Sequence, residues 1–146
     1  MNVLAPLLVL AAGCSVAFQQ LLNANLGRTL QSVWWSAFVS YLGGTIALAA
    51  VLVVLREPLF SSASAARAPL ITWTGGLFGA AFIATCVFMI PRLGVASVVT
   101  LVVVGQLLSS LVFDHFGLLG TPQHQATVVR LLGAACLIAG AAMIRA

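Results

Sequence analysis

Five uninterrupted apolar runs dominate this chain: Val3 to Leu22, Val33 to Leu55, Pro69 to Ile90, Gly94 to Phe113 and Thr127 to Ile144. Each is close to the roughly 20 residues that a helix needs to cross a hydrocarbon core at about 1.5 Å per residue. In lipid a spanning segment must satisfy its own backbone polar groups, so such a run reads as a helix. The joints between the runs are short, which leaves no room for a separate water-borne domain within residues 1–146 and puts any activity inside the membrane. Charge content agrees. The chain has six Arg or Lys, all of them Arg, and two acids, Glu57 and Asp114, in 146 residues. A soluble domain carries roughly 25% charged residues, and a surface this poor in charge cannot face water. The expected fold is an all-α integral membrane protein with five transmembrane helices in a single domain, with the lipid bilayer as its main partner.

The joints carry suitable punctuation. Asn23 to Ser32 is polar and contains Gly27; Arg56 to Ala68 opens with Glu57-Pro58 and continues as a Ser/Ala-rich flexible loop. Pro91-Arg92-Leu93 is short enough to predict a tight antiparallel hairpin between spans three and four. Asp114 to Ala126 holds Gly117, Gly120 and Pro122 and ends where Thr127 is placed to cap the last helix. Trp34, Trp35 and Trp73 fall near span ends, where amphipathic rings favour the headgroup region. The first span lacks the positive n-region of a signal peptide, its first charge being Arg28, so it is expected to stay in the mature protein despite the Ala11-Ala12-Gly13-Cys14 sequence.

With five spans, the N-terminus and loops two and four share one side of the membrane, here side I, which carries Arg56, Arg67 and Arg130. Side II carries Arg28, Arg92 and Arg145. Orientation follows the Lys/Arg excess on the cytoplasmic side, and here there is none. Either insertion in both orientations follows, or orientation is set by something other than charge. Dual insertion has a structural attraction: many transporters are two inverted repeats with the substrate site at their interface, and two opposed copies of one five-helix unit generate that plan.

Polar side chains within spans are costly in lipid and face protein or water. On span one Ser15, Gln19 and Asn23 recur every four residues on one face, with Gln20 beside them. They either line a pathway or bridge helices. Gln106, Ser109 and Ser110 repeat the pattern on span four, and Asp114 follows one turn later, as a coupling or gating group or as a boundary residue paired with an arginine. Tyr41 and Trp34 or Trp35 add aromatic groups that either touch a solute or serve as packing and anchors. Small residues at four-residue spacing, Ser36, Ser40 and Gly44, then Gly75 and Gly79, Gly76 and Ala80, and Ala135 and Ala139, are read as close-packing stripes.

Other function classes drop out. The arginines are spread singly, unlike the clustered basic face of a nucleic-acid binder. Cys14, Cys86 and Cys136 sit in apolar runs without disulfide or metal spacing. His115 and His124 share one loop without a reliable metal-ligand pattern. No nucleophile-base pair or phosphate-cradling motif is present, so neither an enzyme, a metal site nor a cofactor is expected.

Asn23-Ala24-Asn25-Leu26-Gly27, Gly43-Gly44-Thr45, Pro91-Arg92-Leu93-Gly94, and above all Gly105-Gln106-Leu107 leading to Asp114-His115-Phe116-Gly117, resemble the YdcZ-type bacterial inner-membrane family of the drug/metabolite transporter superfamily. The resemblance spans essentially the whole chain. It implies a five-helix half-transporter related to one repeat of ten-helix members, in a family where some chains insert both ways and others pair with an inverted paralogue. It highlights Asn23, Asn25, Gln106 and Asp114, and it implies export without naming a substrate. The combined expectation is an antiparallel homodimeric exporter in the bacterial inner membrane. It would move small organic solutes by alternating access, with Ser15, Gln19, Gln20, Asn23, Tyr41, Gln106, Ser109 and Ser110 as candidate substrate contacts. The alternatives are a non-transporting scaffold or accessory subunit, and a passive small-solute channel.

Overall fold

The computed structural model describes residues 3–145. Its elements are α1 (Leu4–Thr29), α2 (Val33–Leu55), α3 (Ser62–Arg67), a 3-10 segment (Leu70–Thr74), α4 (Gly75–Leu93), α5 (Val95–Phe116), a short 3-10 turn (Leu118–Gly120) and α6 (Val128–Arg145). Among the described residues there is no strand, and five helical segments are long and apolar enough to span a membrane: Leu4–Thr29, Val33–Leu55, Leu70–Leu93, Val95–Phe116 and Val128–Arg145.

Several boundaries differ from the sequence expectation. Helix α1 runs on through Asn23 and Gly27 to Thr29, because those residues are held against neighbouring helices rather than released to water. The Ser/Ala-rich joint contains α3, started by Ser61, whose hydroxyl accepts from the Ser64 N–H. Helix α4 carries Pro91 inside its last turn and ends at Leu93. The connection to α5 is therefore Gly94 alone, whose φ of 80° suits glycine. Helix α5 continues beyond Phe113 to Phe116. Two caps follow familiar chemistry: Ser32 accepts from the Trp35 N–H at the start of α2, and Thr127 accepts from the Arg130 N–H at the start of α6.

The chain divides into two compact units, one ending at Arg92 and the other beginning at Leu93. In the first, α1 packs along α2. The inward stripe of α1 is Gln20, Asn23, Ala24 and Gly27, at helical spacing, and α4 contributes Ile83, Ala84, Cys86, Val87 and Ile90. Ala37, Ile83 and Val87 form a small apolar centre, with Val33, Tyr41 and Phe82 packed around it. Glycines permit the close approaches. A Cβ on Gly27 would lie 2.5 Å from Val87 Cγ1, and one on Gly79 would collide with the Tyr41 hydroxyl. Tight helix contact through small residues is the usual membrane solution, since lipid offers no hydrophobic drive to associate.

In the second unit α5 packs along α6. The loop between them folds back on the end of α5 and satisfies carbonyls that a helix terminus leaves open. The His124 N–H donates to Asp114 O at 2.8 Å, and Gln123 Nε2 donates to His115 O at 2.8 Å. The reversal is made at Gly117, with φ 60°, where a Cβ would sit 3.2 Å from Thr121 O. Most large apolar side chains of both units, such as Leu8, Val54, Leu77 and Val129, point outward. That is the lipid-facing surface expected of spanning helices.

Candidate solute site on the first helix

The polar side chains of α1 separate into two kinds. Asn23 Nδ2 donates to Ser40 Oγ at 3.1 Å, and Gln19 Nε2 approaches the same oxygen at 3.5 Å. Ser36, fully buried, donates its hydroxyl to the Asn23 carbonyl oxygen at 2.6 Å. These bonds stitch α1 to α2. Gln20 is different. It is 1% exposed, and neither its amide nitrogen nor its amide oxygen has a partner among the described residues. A buried polar group without a partner costs about 1–3 kcal/mol, so an amide with both ends open is a standing cost in this conformation.

The other candidates are dispersed. Ser15 lies one turn before Gln19 and is exposed. Tyr41 is half-buried, with its hydroxyl end against Gly79. In the second unit Gln106 and Ser109 are exposed and make no side-chain hydrogen bond among the described residues, while Ser110 bonds back to the Leu107 carbonyl of its own helix. Asn25 is exposed, and its carbonyl accepts from Thr29 Oγ1. Asp114 is paired with Arg130, Oδ2 to Nη1 at 3.3 Å, with both side chains 40% exposed.

Sequence reasoning missed Ser36 and Ser40 as polar partners, having read them as a small-residue stripe. The signal was present: serines four apart on α2 match amides four apart on α1. Both amides meet Ser40, while Ser36 takes the Asn23 backbone carbonyl; the two Asn23 contacts require α1 to continue past Leu22, which the polar run starting at Asn23 obscured.

The family model described as "Putative inner membrane exporter, YdcZ" matches residues 4–143. The chain belongs to the YdcZ family. No curated protein and no solved structure matches it. That description is of an inner-membrane exporter, and five apolar helices agree with a multi-pass protein of that membrane. The match takes in every polar position described above, from Ser15 to Asp114 and Arg130. In this YdcZ chain the amides of α1 therefore lie within the family's own region, and their two environments, bonded and unbonded, invite two different roles.

Proposed function

We propose that this YdcZ-family chain is half of a secondary exporter, completed by a second copy inserted in the opposite orientation, and that it moves small neutral or weakly charged organic solutes by alternating access. The observation that carries the reading is Gln20. Amides kept only to bridge helices are expected to be bonded, as Asn23 and Gln19 are to Ser40. Gln20 is held among its neighbours with donor and acceptor both open, which suits a group that meets its partner at another stage of a cycle. A carboxamide offers one hydrogen-bond donor group and one acceptor, and no charged side chain stands on α1 between Leu4 and Gly27. The solute favoured by that chemistry pairs both functions without net charge. In the second unit Gln106, exposed on α5 with no side-chain hydrogen bond among the described residues, is a further candidate solute contact considered by itself.

The test uses Gln20→Leu, which keeps size and removes both open polar atoms. A thermal-shift screen of small neutral organic solutes on the purified protein supplies a probe, and counterflow of that probe in proteoliposomes supplies the readout. The variant is expected to melt higher, by the equivalent of about 1–3 kcal/mol, and to lose saturable counterflow. Undiminished counterflow in the variant would refute the role given to Gln20. A scaffold shows no flux in either form, and a channel shows flux that neither saturates nor supports counterflow.

A further inference from the structure

A cavity of about 500 Å³ opens between the start of α2 and the latter half of α4, lined by Gln31, Ser32, Val33, Trp34, Ala84, Thr85 and Phe88. It is separate from the amide cluster of α1, none of whose side chains lines it. The volume lies within the range of about 300–1,000 Å³ typical of small-molecule sites, and it is open rather than enclosed. Its walls grade from apolar to polar. Val33, Trp34, Ala84 and Phe88 supply hydrocarbon and aromatic surface, while Gln31 and Ser32 stand at the loop-one end.

Two features give the cavity a chemical preference. Arg92, one turn beyond Phe88 on α4, lays its guanidinium carbon 3.7 Å from the centroid of the Phe88 ring. Stacking of this kind holds the cation against a ring that lines the cavity. Arg92 has no carboxylate partner among the described residues: the one ion pair is Arg130 with Asp114, and Glu57 lies just past the far end of α2. Gln31, at the polar end, is held at φ 51° with its amide donating to the Arg28 carbonyl oxygen at 2.7 Å. A non-glycine residue is costly in that region and persists where surrounding structure imposes it. The cavity thus has a shaped polar rim, and one of its lining rings carries an uncompensated cation at a span end.

We propose that this cavity binds an anionic phospholipid of the surrounding leaflet, with an acyl chain against Val33, Trp34, Ala84 and Phe88 and the phosphate beside Arg92. Charge complementarity selects the head, and the apolar walls select the tail. Helix ends put both at the depth where headgroup meets hydrocarbon, the level at which tryptophan and arginine side chains settle. The site does not depend on transport.

Trp34 is the natural reporter. A variant carrying Trp35→Phe and Trp73→Phe keeps it as the sole tryptophan and can be placed in nanodiscs doped with phosphatidylglycerol or phosphatidylcholine bearing brominated acyl chains, at equal mole fraction. Half-quenching is expected at about fivefold less phosphatidylglycerol than phosphatidylcholine, the attraction of one arginine for an anionic headgroup. Arg92→Gln is expected to abolish the preference, Arg92→Lys to keep it, and Arg56→Gln, past the far end of α2, to leave it unchanged. Both leaflets of the disc hold the same lipid, so an altered insertion preference does not affect the result. Equal quenching by the two lipids overturns the proposal, as does a preference that survives Arg92→Gln. Loss of the preference in millimolar inorganic phosphate also overturns it, by showing an anion site without a chain. Trp34 quenched only on dissociation of a dimer overturns it in favour of a second copy covering the cavity.

Discussion

At the scale of single residues, small size and hydrogen-bonding capacity do different jobs on the same helices. Gly79 exists to receive Tyr41: a Cβ there collides with the phenol oxygen. Gly79→Ala is therefore expected to destabilise the purified protein by about 1–3 kcal/mol, the usual cost of overpacking. Adding Tyr41→Phe, which removes the offending oxygen, is expected to restore much of the loss, and thermal melts of the two single variants and the double variant measure the coupling. Additive losses would show that the contact is not what constrains Gly79. Ser36 works by bonding instead, its hydroxyl on the Asn23 carbonyl at 2.6 Å with no exposure to the surroundings. Gln20, one turn away on the same face of α1, has the capacity and lacks the partner.

At the scale of elements, the ends of the helices decide where the polar groups stand. Because α1 continues to Thr29, Asn23 and Gly27 face α2 and α4 instead of forming a loop. Hydropathy ends a span where polar residues begin, but a helix ends where its backbone loses partners, and here packing keeps those partners in place. At the end of α2 the chain closes on Arg56 at φ 52°, with the Glu57 N–H returning to Leu52 O and the Arg56 N–H to Val53 O. That is the double bond pattern of a Schellman end, usually closed by glycine. At the end of α5, Asp114 faces the negative pole of its own helix, which disfavours a carboxylate, and Arg130 from α6 offsets this. Both side chains are 40% exposed, and exposed pairs contribute only about 0–1 kcal/mol. Asp114→Asn is accordingly expected to shift the melting free energy by less than about 1 kcal/mol and to leave counterflow intact. Counterflow lost at unchanged stability would move Asp114 from boundary residue to coupling group.

At the scale of the whole molecule, the six arginines matter more for where they lie than for how many there are. Arg56, Arg67 and Arg130 balance Arg28, Arg92 and Arg145 across the five spans, so the charge rule for orientation gives no net direction. Cysteine-accessibility labelling of a C-terminal reporter is expected to find it on both sides of the membrane in comparable amounts. Arg28→Gln is expected to tip the population toward the form with the N-terminus in the cytoplasm, because side II then has the smaller charge. A C-terminus found on one side in every molecule would contradict the opposed pair of identical chains and leave an inverted paralogue as the second half.

Membrane residence, the number of spanning helices and the YdcZ motifs were legible in the sequence because each depends on local composition: about 20 apolar residues must be helical in lipid whatever they pack against. The candidate amides were legible too, as polar interruptions of apolar runs. Their roles were not. Ser15, Gln19, Gln20 and Asn23 look alike along the chain, and only the placement of Ser36 and Ser40 opposite them separates a bonded pair from a buried amide with both ends open. Likewise Arg92 and Phe88 are one turn apart in sequence, but the cavity that Phe88 lines exists only where α2 begins next to α4. Hydrogen-bond satisfaction and cavity shape depend on contacts between residues far apart in the chain, so tertiary structure alone decides them.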